Sequence, residues 1–294
     1  MYKLVTIDLD GTLLNSLGEI SEENIIALRK CIEKGVEIVL TSGRVVSSIK
    51  NFANEIGNNN YLISGNGSTV YDIKNEKIIY QNTIPKEKAL KIIEICEENS
   101  IYYSVYTERG IITKSLNYNI LFYHKENLKK INSEKTTLNI VQNIYDYVEN
   151  LENNKISKIS VCDKDKIVFN SILKKMKQIE NLDILEVAHM SRKYIENGTE
   201  IVPIEFYYTE ITNENVNKWE AIKFLIKKLN IMAEEVMAIG DNINDKEMIE
   251  NAGMGIAMGN AAPYIKEFSD DVTLDNNNDG VGKSLEKYIL CNRE

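Results

Sequence analysis

The sequence predicts an α/β protein: a parallel-sheet core interrupted by an inserted domain of α+β style. Two observations carry this. Short apolar runs alternate with amphipathic helical stretches toward both ends of the 294-residue chain. That alternation indicates parallel strands joined by right-handed crossovers. Between about residues 84 and 200 it gives way to β-rich runs and hairpin punctuation. The core is therefore expected over residues 1–83 and 201–294, and the insert over 84–200.

The first apolar run, residues 4–7, reads as a buried strand, yet "VTIDLDGTLL" ends it in two carboxylates, Asp8 and Asp10. A helix is expected over 22–34, with Ile25, Leu28 and Ile32 in phase. Ser21 is its N-cap, Glu22 and Glu23 suit the positive end of the helix dipole, and Gly35 closes it. A second strand, 38–40, leads into "TSGR"; a helix over 45–56 then precedes the strand "YLIS", which ends in "GNG". After about Thr83 a helix over 87–99 carries Leu90 and Ile93. The runs "SIYYSVYT" and "GIITKS", split by "ERG", read as a hairpin. "ISKISVC" is a further strand, and a helix over 167–179 places Val168, Ile172, Met176 and Ile179 on one side. The alternation resumes with a helix over Lys218–Leu229, the strand "VMAI", the loop "GDNIND" and the strands "GIAM" and "DVTL". "DNNND" is a turn. The expected junctions, 83–85 and 198–203, carry the glycine and prolines typical of a domain boundary.

Composition narrows the chemistry. A net charge of -9 argues against nucleic acid or a membrane surface as the main partner, since both are polyanionic. Cys31, Cys96, Cys162 and Cys291 are widely spaced and read as reduced core residues. The chain starts directly on a strand and contains no run of about 20 apolar residues, so a cytoplasmic protein is expected. The two histidines, His124 and His189, lie in no catalytic pattern, which disfavours a serine triad or an imidazole-rich zinc site. Oxygen chemistry on carboxylates remains.

In an open parallel sheet, ligands bind beyond the carboxyl ends of the strands. Those ends carry Asp8 and Asp10, Thr41 to Arg44, Asn66 and Gly67, and Asp241, Asn242, Asn244 and Asp245, with Lys218 at a helix start. Converging carboxylates repel unless a cation compensates them. Mg²⁺, which prefers octahedral oxygen ligands, suits such a group. Ser42 and Lys218 are residue types that hold phosphate oxygens, and loop N–H groups add to them. Metal, phosphate clamp and carboxylate nucleophile together suit phosphoryl transfer through an aspartyl-phosphate.

"DLDGT" (Asp8 to Thr12), "TSGR", Lys218 and "GDNIND" resemble, in order, the four motifs of the haloacid dehalogenase-like hydrolases. "AGMGIAMGNA" and "NDGV" resemble their Cof-type phosphatases. The resemblance covers nearly all of the core and is weaker in the insert. It implies a Rossmann-like parallel sheet core with an inserted α+β cap domain of C2B-like type, packed over the strand ends. It implies Asp8 as nucleophile and Asp10 as general acid and then base. Ser42, Gly43 and Lys218 would bind phosphate, and Asn66 and Asn244 substrate or phosphate. Asp8, the backbone carbonyl of Asp10, and Asp241 would ligate Mg²⁺, with Asp245 direct or one shell out. The implied partner is a small phosphorylated metabolite, sugar phosphates foremost. Trp219 departs from the family's usual glycine, and Ser42 from its commoner threonine.

Blander readings stand beside these. Asp245 also suits a helix first turn, Asn66 a turn, and Arg44 a salt bridge as well as a substrate contact. "GVGKS" is not a P-loop, because the glycine required five residues before Gly282 is Asn277. "GMGIAMG" lacks dinucleotide spacing and reads as a tight turn. Tyr102, Tyr103 and Tyr106 suit a half-buried sheet face, and "HMSRK" a solvated hinge. A phosphomutase would use the same nucleophile. A phospho-acceptor signalling module is a different class, but has no need of an insert this long. Oligomeric state is left open.

Overall fold

The computed structural model describes residues 2–152, 155–185, 191–197 and 200–291. The first stretch forms β1 (Leu4–Asp8), α1 (Glu22–Glu33), β2 (Glu37–Thr41), α2 (Val46–Ile56), β3 (Tyr61–Ser64), β4 (Thr69–Asp72) and β5 (Lys77–Gln81). The middle begins with α3 (Lys86–Glu98), β6 (Tyr102–Thr107), β7 (Gly110–Thr113), α4 (Tyr118–Leu128), β8 (Leu138–Ile140) and α5 (Ile144–Glu149). It continues through β9 (Ile156–Asp163), α6 (Lys166–Met176), β10 (Leu182–Ile184), β11 (Ser191–Asn197) and β12 (Glu200–Asn213). The last stretch holds α7 (Lys218–Leu229), β13 (Val236–Gly240), α8 (Lys246–Asn251), β14 (Met254–Ala257), α9 (Pro263–Lys266), β15 (Asp271–Val272) and α10 (Gly280–Leu285).

Two compact units result, residues 1–81 with 216–294, and residues 82–215. The second junction falls at 215/216 rather than the expected 200/201. The reason is β12, which pairs antiparallel with β9, β10 and β11 and so belongs to the sheet of the middle unit. Ser191 to Lys193 of "HMSRK" accordingly lie in β11 and not in a hinge, while His189 and Gly198 fall outside the described residues.

The first unit's sheet runs β15-β14-β13-β1-β2-β3-β4-β5. Strands β15 through β3 are parallel, as the alternation predicts. The antiparallel strands β4 and β5, of which β5 forms the sheet edge, were not legible as such in the sequence. Strand alternation sorts side chains onto two faces. Val5, Ile7, Ile38 and Leu40 pack with α1, α2 and α10, while Leu4, Val39, Ile63 and Ala238 pack with α7 and α8. The α7 face is thus the one that carries Leu4, Thr6 and finally Asp8. Ser21 caps α1 as expected, its side chain accepting from the Asn24 N–H, a contact worth about 1 kcal/mol.

The middle unit's sheet runs β10-β12-β9-β6-β7-β8, with β11 on β12. Tyr103, Val105, Ile159, Val161 and Ile211 form one buried core with Ile92 and Ile93 of α3, Val148 of α5, and Phe169 and Ile172 of α6. On α6, Val168 is exposed and Phe169 takes the place expected for it. Cys31, Cys96 and Cys162 are buried thiols, whereas Cys291 is exposed and is not a core residue. Among the described residues no helix is long and apolar enough to cross a membrane.

Candidate active site

Asp8 ends β1 and Asp241 follows β13, the adjacent strand of the sheet. Asp245 closes the short turn 243–245 that follows. Their carboxylates offer oxygens that all lie within 4.8 Å of one another. Lys218 enters from the start of α7, which is capped by the Asn217 side chain accepting from the Glu220 N–H at 2.9 Å. Its Nζ donates to Asp8 Oδ1 and to Asp245 Oδ1, each at 2.5 Å. Trp219 does not disturb this arrangement, because it turns into the α7-side core with Ile222 and Leu225.

The electrostatics follow from burial. Asp8 is held well above the usual carboxylate range by desolvation and then by the charge of Asp245, with Lys218 opposing. Asp241 is pushed up to about 7, again by desolvation first and Asp245 second, while its bond from Thr12 opposes. Burial alone would lower the Lys218 ammonium, but Asp245 and Asp8 outweigh it and hold it above its ordinary value. Three carboxyl groups facing one ammonium would leave two negative charges in a buried place if all ionised, which is the state that burial resists and a cation would permit. An oxygen-only donor set with that imbalance fits a hard divalent cation.

Asp245 is already heavily engaged. Its Oδ1 takes Lys218, and its Oδ2 accepts the backbone N–H groups of Asp241 and Asn242, both at 3.0 Å. It therefore shapes the loop that presents Asp241 and orients the lysine. Thr12, quoted in its motif but given no role from sequence, donates Oγ1 to Asp241 Oδ1 at 2.9 Å.

Asp10 stands apart from the three clustered acids. Its side chain is 58% exposed and is gripped by Arg44 through a salt bridge, so its carboxylate is not part of the cation group. Only the backbone carbonyl expected of Asp10 remains available for that purpose. Ser42 follows Thr41, which is in register with Asp8, and its Oγ accepts the Arg44 N–H at 3.2 Å. Gly43 lies between them in the same turn. Asn66 sits in the left-handed region at φ 57°, where its N–H donates to the Ser42 carbonyl at 3.0 Å. Its Oδ1 accepts from Asn244 Nδ2 at 3.1 Å, so the two asparagines expected at the site meet. Gly67 lets this turn approach α7, since a Cβ there would lie 2.0 Å from the Asn217 carbonyl oxygen.

The chain matches the family model described as haloacid dehalogenase-like hydrolase over residues 5–285. It is 32% identical to phosphatase YwpJ of Bacillus subtilis, with 98% of this chain and 100% of that protein covered. It is 28% identical to 5-amino-6-(5-phospho-D-ribitylamino)uracil phosphatase YcsE of the same organism, over 98% of this chain and 96% of that protein. A solved haloacid dehalogenase-like hydrolase from B. subtilis superposes with a TM-score of 0.79 at 29% identity, covering 98% of this chain and 99% of that one. The chain belongs to the haloacid dehalogenase-like hydrolases, in their Cof-type phosphatase branch.

Proposed function

We propose that this phosphatase is Mg²⁺-dependent and hydrolyses small alkyl phosphates, sugar phosphates foremost, through an aspartyl-phosphate on Asp8. The observation that carries the reading is Asp8 itself, a nucleophile-type carboxylate ending a buried strand with Lys218 on one oxygen and two further acids beside it. Asp8, Asp241 and the carbonyl of Asp10 would hold Mg²⁺, with Asp245 behind them. When bound, the cation offsets the carboxylate charge and the charge of the phosphoryl oxygens.

In the first step an Asp8 oxygen bonds to phosphorus as the ester P–O bond breaks, and protonated Asp10 gives its proton to the leaving oxygen. In the second, Asp10 takes a proton from water as that water bonds to phosphorus, releasing inorganic phosphate and restoring the Asp8 carboxylate. Lys218 and Ser42 hold phosphoryl oxygens by charge and by hydroxyl donation. Asn66 and Asn244 are placed in the same reading at the substrate. Residues 82–215 act as the cap, supplying the side chains that choose the substrate. The relative YcsE, named for a substrate with a phosphate on a ribityl chain, supports the choice of alkyl phosphates over aryl ones.

A screen of phosphorylated metabolites with Mg²⁺, scored by phosphate release, tests the substrate class. Rapid quench after mixing with ³²P-labelled substrate tests the intermediate: label is expected on the wild-type protein and none on Asp8→Asn. Release of phosphate without transient labelling, at any quench time, overturns the aspartyl-phosphate. A requirement for a bisphosphate activator, with label returned to the sugar, would favour a mutase instead.

A further inference from the structure

The loop after β1 is held by asparagines from elsewhere in the chain. Asn260, just beyond β14, donates Nδ2 to the Gly11 carbonyl at 2.8 Å, while its Oδ1 accepts the Asn276 N–H at 3.1 Å. Asn276, beyond β15, donates Nδ2 to the Leu14 carbonyl at 2.8 Å. Beside it, Asn277 Oδ1 accepts the Ser16 N–H at 2.9 Å. Asp275 fastens this second loop in turn, accepting the Asn277 N–H at 2.9 Å. These side chains come from "GNA" and "DNNND", two stretches to which the chemistry above gives no task. Their amides are uncharged and reach backbone groups only.

The loop also has an anchor of its own, because Leu9, Leu13 and Leu14 are buried in the core. What they add is constraint at the Gly11 end. Gly11 has φ +87°, and a Cβ there would lie 2.5 Å from Asp241 Oδ2. A small shift of Gly11 therefore moves Asp10 on its N-terminal side and alters the approach to Asp241 across from it. An acid must lie within hydrogen-bond reach of the oxygen it protonates, and a misplacement of about 1 Å can cost up to about 100-fold.

We propose that Asn260 and Asn276 are positioning residues for Asp10, clamping the Gly11 and Leu14 carbonyls so that the loop presents the acid at a fixed place. The proposal rests on the reading of Asp10 as general acid. It is tested by kcat/KM on two substrates, p-nitrophenyl phosphate, whose leaving group needs little protonation, and phenyl phosphate, whose leaving group needs more. Wild type, Asn260→Ala, Asn260→Asp, Asn276→Ala and Asp10→Asn are compared, with thermal melting of each.

Asn260→Ala and Asn276→Ala are expected to lose about tenfold on phenyl phosphate and less than about threefold on p-nitrophenyl phosphate, at near wild-type melting temperature. Asn260→Asp keeps the oxygen that accepts the Asn276 N–H but sets a second acceptor against the Gly11 carbonyl. It should behave like the alanine variant. Equal losses on both substrates, or none, while Asp10→Asn still discriminates between them, overturn the clamp and leave the acid assignment standing. If Asp10→Asn treats the two substrates alike, the acid assignment fails and the clamp's purpose with it.

Discussion

Arg44 closes on the Asp10 carboxylate as a two-pronged fork, Nε at 2.8 Å from Oδ2 and Nη2 at 2.7 Å from Oδ1. The guanidinium is itself fixed, with Nη1 donating to Ser48 Oγ at 3.2 Å and its centre 5.6 Å from the Phe52 ring centroid. The arginine side chain is 11% exposed and the aspartate 58%, so the acid rests on an anchored partner. Of the two roles open to Arg44 from sequence, the structure displays the salt bridge. Lysine cannot reproduce a bidentate fork. Arg44→Lys is expected to lower kcat about tenfold while shifting stability by less than about 1 kcal/mol, because the pair is open to solvent on the Asp10 side. Unchanged kcat in a folded variant would show that the fork does not matter to turnover.

Asp8→Asn should abolish turnover, by about 1,000-fold or more, as removal of a covalent nucleophile does. The amide also removes an acid from a buried group of three in which desolvation first, and the charge of Asp245 second, already hold Asp8 above the carboxylate range. Its melting temperature in metal-free buffer is therefore expected to equal or exceed that of wild type. Phosphate release within tenfold of wild type would remove Asp8 from the nucleophile's role.

Chelation should silence the enzyme and Mg²⁺ restore it, with Zn²⁺ a poor substitute for an all-oxygen donor set. Binding is read without turnover as a rise in melting temperature, since a cation at about 100 times its Kd adds about 2.7 kcal/mol to the folded state. Asp241→Asn should blunt that rise. Full activity after exhaustive EDTA treatment and dialysis would sink the metal assignment.

Glu37 opens β2 with Oε2 accepting from Asn60 Nδ2 at 2.8 Å and Oε1 buried without a partner among the described residues. Desolvation raises its carboxyl above the ordinary 4.5, only partly opposed by Asn60. An acid whose pKa is higher folded than unfolded weakens the fold once it ionises. That penalty is full above the folded pKa and vanishes as pH falls below the unfolded one. Glu37→Gln should therefore melt higher than wild type at pH 7, and the gap should close as pH falls to about 4.5. A gap that is constant with pH would point to packing and not to charge.

The parts of the fold visible in the sequence were those with a local signal. Ser21, Gly35 and the phase of Ile222, Leu225 and Leu229 mark helices α1 and α7 without reference to anything distant. Asp8, Asp241, Asp245 and Lys218 were legible because strand and helix ends are where an α/β sheet puts its chemistry. What was not legible depends on long-range pairing. Nothing near residue 200 says that β12 bonds to β9 and β10, and nothing in "TVYD" says that β4 reverses direction. The grip of Arg44 on Asp10, and of Asn260 on Gly11, spans 34 and 249 residues of sequence.

The course of β12 has a consequence for engineering the cap. Residues 82–215 contain their own sheet and core, and the two chain crossings lie side by side. Asn82 Nδ2 donates to the Glu214 carbonyl at 3.0 Å, and Asn213 Nδ2 donates to Asn82 Oδ1 at 2.7 Å. An exchange of 82–215 for the matching segment of a relative with a different substrate thus cuts no strand pairing among the described residues. It is expected to give a soluble enzyme that takes the donor's substrate preference and still loses all activity on Asp8→Asn. An exchange limited to 84–200 instead leaves this protein's β12 to pair with foreign copies of β9, β10 and β11. Packing across mismatched strand pairs is poor, and that chimera should be insoluble or melt far lower. If the 82–215 chimera folds, hydrolyses phosphate esters and keeps its original preference, residues 82–215 do not select the substrate.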